Sequence, residues 1–112
     1  MIHKQQCKDA VSLVDGGLIL VSQDRPSLVY YLDEAGKSFD VVQFDSVPEL
    51  KEKIKDPSVR WVVVRNFKNG YRDYEDIVSY MKSRKDFTLE YELEYVLLFK
   101  RATTYLNEQW DI

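Results

Sequence analysis

At 112 residues, 45% of them hydrophobic and 13% aromatic, the chain is long enough for one domain with a real core and too short for two. A net charge of −3, with Lys and Arg scattered along the chain, argues against the basic face that nucleic acid requires. It also argues against a Lys/Arg-rich membrane-surface helix. Cys7 is the only cysteine, so no internal disulfide forms, and His3 is the only histidine, which leaves too few ligands for a zinc site.

A Ser-His-Asp or Cys-His centre would have to use His3, close to the N-terminus. No apolar run approaches the ~18 residues of a membrane span. The opening MIHKQQCKDA lacks the apolar core of a signal peptide. The chain therefore reads as soluble, either standing free or cut from a larger membrane protein.

In chain order, His3 to Val14 predicts a helix whose buried face is Cys7, Ala10, Val11 and Val14. Asp15-Gly16-Gly17 ends it, because glycine accepts the backbone a helix C-terminus needs. The two glycines precede the next strand, whereas a dinucleotide loop follows one and carries three spaced glycines. Leu18 to Val21 suits a central parallel strand buried on both faces. Ser22 to Arg25 turns the chain, and Pro26 fits the first turn of a helix to Glu34 that buries Leu28, Val29, Leu32 and one or both of Tyr30 and Tyr31. Gly36 stops it.

Phe39 to Phe44 is the second strand, and Ser46-Val47-Pro48-Glu49 a capping box that opens a helix burying Leu50 and Ile54. Its Lys51, Glu52, Lys53 and Lys55 form a solvated face. Val59 to Val64 is the clearest strand. A loop with a turn signal at Asn69-Gly70 leads to a helix from Asp73 to Arg84 with the core stripe Ile77, Val78 and Met81. Asp73, Glu75 and Asp76 suit the positive end of that helix dipole.

From Leu89 to Tyr95, apolar residues alternate with Glu90, Glu92 and Glu94, which predicts a half-exposed strand with an acidic outer face that blocks edge-to-edge pairing. Val96 to Phe99 is then continuously apolar. Either one long strand passes from edge to interior, or two short strands meet near Glu94. The lack of Gly, Pro or Asn there favours a bulge or a long strand over a hairpin.

These elements predict an α/β fold: a three-layer sandwich around a small, mostly parallel four-stranded sheet of order 2-1-3-4, with the last strand antiparallel at the edge. Residues 1–102 form one domain, and 103–112 a tail that packs through Tyr105, Leu106 and Trp110 or stays loose. Ligands in such sheets favour the carboxyl ends of strands where strand order reverses. That point lies between the first and third strands. The loops meeting there bring together Asp24, Arg25, Arg65, Asn66, Lys68 and Tyr71, of which Arg65 and Lys68 suit a phosphate or carboxylate. Ordinary polar loop residues account for the same set. Neither loop carries a phosphate-binding glycine motif, and no cofactor is expected.

The run Pro26-Ser27-Leu28-Val29-Tyr30-Tyr31-Leu32 after a strand and a short polar loop, followed later by Val59-Arg60-Trp61-Val62-Val63-Val64, resembles the soluble C-terminal domain of polytopic lipid-linked-sugar glycosyltransferases, the protein-mannosyltransferase and aminoarabinose-transferase-like superfamily. The resemblance spans Leu18 to Arg101. It implies a small α/β domain that follows the last membrane helix and lies outside the cytoplasm. In those enzymes the catalytic acidic residues sit in loops of the membrane part, so no catalytic residue carries over. The implied role is a non-catalytic accessory that shapes the substrate entrance or contacts a glycan or acceptor, with the membrane portion of the parent protein as partner.

The other readings are a free-standing, cytoplasmic α/β interaction module and a small ligand-binding protein using the strand-end crevice. A phosphotransfer receiver would end its third strand in Asp, where this chain has Arg65-Asn66.

Overall fold

The computed structural model describes residues 2–66 and 74–102, and of residues 2–4 only the backbone. The expected tail at 103–112 lies outside the described residues. The chain is α/β, in the order α1 (Ile2–Leu13), β1 (Leu18–Val21), α2 (Arg25–Glu34), β2 (Val41–Gln43), α3 (Val47–Lys53), β3 (Val59–Arg65), α4 (Tyr74–Ser83), β4 (Phe87–Glu92) and β5 (Val96–Arg101). The sheet runs β2-β1-β3-β5-β4. Its first three strands are parallel, β5 is antiparallel to β3, and β4 is antiparallel to β5.

Strand order reverses at β1. The chain leaves β1 toward β2 and then returns past β1 to reach β3, so α2 and α3 fall on opposite faces. The side-chain alternation of each strand follows this division. Ile19, Val21, Trp61, Val63, Val96 and Leu98 face α1 and α2, where Cys7, Ala10, Val11, Val14, Leu28 and Leu32 cover them. Leu20, Val62, Val64, Leu97 and Phe99 face α3 and α4, under Leu50, Ile54, Ile77 and Met81. The continuous apolar runs of β1, β3 and β5 thus belong to strands buried on both faces.

The sheet has five strands where four were expected, because residues 87–101 form a hairpin whose second strand is inserted between β3 and β4. The turn carries none of the usual hairpin residues. Asp24 is the only non-glycine residue with positive φ among the described residues, so Glu94 and Tyr95 turn without a left-handed backbone. Leu93 N–H closes the turn on Val96 O at 3.0 Å. Tertiary bonds then hold what turn chemistry usually holds. Tyr95 N–H donates to Gln6 Oε1 of α1 at 2.8 Å, and Tyr95 O accepts from Asn66 N–H at 2.9 Å.

A bulge in β4 corrects a second expectation. Leu89 pairs with Phe99 but Tyr91 pairs with Leu98, so Glu90 is the extra residue and the alternation slips by one. Leu89 shares the face of Phe87 and Phe99, whereas Tyr91 packs on the α1 side. Glu92 turns toward α4, where its Oε2 lies 3.3 Å from Lys82 Nζ, and Glu94 sits in the turn. The three glutamates do not form one acidic face. The bulged edge itself discourages pairing with another chain.

Helix ends are held by named groups. Ser46 Oγ accepts Glu49 N–H at 3.2 Å, while Glu49 Oε1 reaches back to Asp45 N–H at 2.6 Å, one residue before the expected Ser46 amide. Lys37 Nζ donates to the carbonyls of Val11, Ser12 and Val14 at 3.0, 3.0 and 2.6 Å, closing the negative end of α1. Lys37→Met removes these charge-assisted bonds and should cost about 1.5 kcal/mol. Urea unfolding should show this as a lower midpoint at an unchanged slope. A midpoint equal to wild type would show that water replaces the lysine without loss.

The hairpin base is tied to the α3 end by Arg101. Its Nε donates to Val59 O at 2.7 Å, and its Nη2 to Ile54 O and Asp56 O at 3.1 and 3.3 Å. The guanidinium carbon lies 4.6 Å from the centroid of the Phe87 ring, and Nη1 is 3.4 Å from Asp86 Oδ2. Arg84 holds both oxygens of Asp86 at 2.9 and 2.6 Å. Burial alone would raise the Asp86 carboxyl, but the bonds and charges of Arg84, its own backbone N–H and Arg101 hold it below the usual carboxylate range.

The stability that Asp86 contributes is therefore present above the ordinary carboxylate value near ~4 and is lost as pH falls through the lower folded value. The stability gap between wild type and Asp86→Asn should be constant near neutrality and narrow below about pH 4. A gap that persists unchanged to about pH 2 would contradict this assignment.

Candidate functional site at the carboxyl ends of β1 and β3

The segments expected to meet at the strand-order reversal do meet, and short polar contacts join them. Ser22, fully buried after β1, donates its N–H to Val63 O at 3.0 Å, and its Oγ accepts Arg65 N–H at 2.9 Å. These two bonds continue the β1–β3 ladder past the end of β1. Asp24 follows with φ 55° and ψ 53°, a left-handed conformation that an aspartate tolerates better than most residues. This turn starts α2 directly. Asp24 O accepts Ser27 N–H at 3.1 Å, and Asp24 Oδ2 accepts Ser27 Oγ–H at 2.6 Å.

The turn also aims the Asp24 carboxylate across the sheet end. Arg65 Nη1 lies 3.5 Å from Asp24 Oδ2, with the arginine side chain 4% exposed and the aspartate 41%. The pair therefore has one buried end and one solvated end. Cys7 of α1 sits near both charges: burial pushes its thiol pKa up, Arg65 pulls it back in part, and Asp24 raises it again. At neutral pH Cys7 is a thiol, not a thiolate nucleophile.

Arg25 belongs elsewhere. Its backbone N–H donates to Gln43 Oε1 at 3.0 Å and its Nε to Val41 O at 2.6 Å. Asp40 O and Phe44 N–H face β1, so the alternating Val41 carbonyl is left over on the outer edge of β2. Arg25 covers that open edge. Asn66 closes the opposite wall, donating its N–H to Tyr95 O at 2.9 Å and its Nδ2 to Glu94 O at 3.3 Å. Lys68 and Tyr71 lie outside the described residues.

The structure thus brings together Asp24, Arg65 and Asn66, and sends Arg25 toward β2. Gln6, Cys7, Ser22 and Tyr95, none of them among the expected ligand-binding residues, join the site. Ser22 was legible in principle as a small polar residue directly after a buried strand. Gln6 and Tyr95 carried no signal, because their contact joins residues 89 positions apart. Among the described residues no group of three or more His, Cys, Asp and Glu is placed to hold a metal ion.

Two open clefts of about 370 and 580 Å³ lie at the other end of the strands, sharing Gly17 and Ser58. Most of their charged groups are already engaged: Arg60 Nε with Asp15 Oδ1 at 3.2 Å, Asp56 Oδ1 with Ser58 N–H at 2.9 Å, and Arg101 with main-chain carbonyls. Gly17 is required here by space as well as by its φ of +87°, since a Cβ would come within 2.6 Å of Arg60 Cβ.

Comparison of the chain with protein families, curated proteins and solved structures returns no match. No described helix is long and apolar enough to cross a membrane.

Proposed function

We propose that the chain is a non-catalytic accessory domain of a membrane-bound glycosyltransferase that uses a lipid-linked sugar donor. The observation that carries this reading is the inward engagement of the strand-end crevice. Ser22 and Arg65 extend the sheet, Asp24 pairs with Arg65, and Asn66 fastens the hairpin. The described polar residues that in a nucleotide-binding α/β protein would face a ligand are here paired with one another or with the main chain, which suits a domain without chemistry of its own.

Of the stretches that resemble the glycosyltransferase domain, residues 26–32 lie within α2, on one face of the sheet, and residues 59–64 within β3, its middle strand. In this reading the partner is the membrane portion of the parent protein, a glycan or acceptor touches the domain, and the domain lies on the extracytoplasmic side.

The test is the natural gene. Its reading frame upstream of Ile2 should encode several apolar spans. Membranes carrying the whole product should transfer sugar from a polyprenyl-linked donor, while the purified domain alone should not. An intergenic region directly upstream, or transfer by the isolated domain, would remove the proposal.

A further inference from the structure

We draw no further inference here: the strongest candidate, the open groove at the amino ends of β1 and β3 around Asp15, Gly17, Ser58 and Arg60, has its charged side chains already bonded to one another or to the main chain, and nothing in the structure shows what covers it.

Discussion

Replacing Arg65 with alanine should destabilise the fold by about 3 kcal/mol. The residue is 3% exposed at the end of β3, and its guanidinium fills the space between Asp24 and the α1 side of the sheet. Truncation opens a cavity and deprives Asp24 of its cation. The half-solvated aspartate softens the second loss, which keeps the estimate at the low end for a buried pair. Arg65→Met, which retains the aliphatic stem, should recover part of the loss. An arginine held in reserve for an anionic ligand behaves in the opposite way, since a buried cation kept for a ligand costs the free protein stability. Chemical denaturation of the two variants separates the cases. Wild-type or higher stability in both would overturn the structural role assigned to Arg65.

Arg101→Ala should cost a similar amount, about 3 kcal/mol, for a different reason. One guanidinium serves three main-chain carbonyls, at Val59, Ile54 and Asp56. It also stacks on Phe87 and sits beside Asp86. Its loss leaves partly buried carbonyls without donors and frees the hairpin base from the α3 end. Arg101→Lys should rescue little, because an ammonium is a compact point charge and lacks the planar fork that reaches several acceptors at once. Guanidinium unfolding is the check, and a lysine variant as stable as wild type would show that charge alone suffices.

How far the sequence foretold these features depends on the range of the forces involved. Local patterns were readable. The VRWVVV run of β3, the buried stripe of α1 and the Ser46 cap all depend on neighbours within a few positions, and the structure places them within a residue or two of where periodicity did. The alternation in residues 89–95 misled because one bulged residue, Glu90, reverses which face every later side chain takes. Of the two alternatives for residues 89–99, the hairpin is the one the residues disfavour, because its turn is stabilised from outside, by Gln6 and Asn66, and so lacks the Gly or Asn that marks a self-sufficient turn.

The same distinction governs the candidate site. The rule that crevices form where strand order reverses located the Ser22–Asp24 and Arg65–Asn66 segments correctly at one end of the sheet. It could not say which way each side chain points. Arg25 is adjacent to Asp24 in sequence, yet the outer edge of β2 offers it an unbonded carbonyl and takes it away. Asp24 and Arg65 are 41 positions apart and pair because the left-handed turn at Asp24 aims its carboxylate across the sheet.

The most direct measurement is the melting temperature of the purified domain against a panel of sugar phosphates, nucleotides and nucleotide sugars at millimolar concentration. If the crevice is an internal latch of a non-catalytic domain, no member of the panel should move the midpoint. A ligand bound at about 100 times its dissociation constant would raise stability by about 2.7 kcal/mol and the midpoint by roughly 10 °C. A rise of that order that disappears in Arg65→Met would contradict the account and make the crevice a binding site.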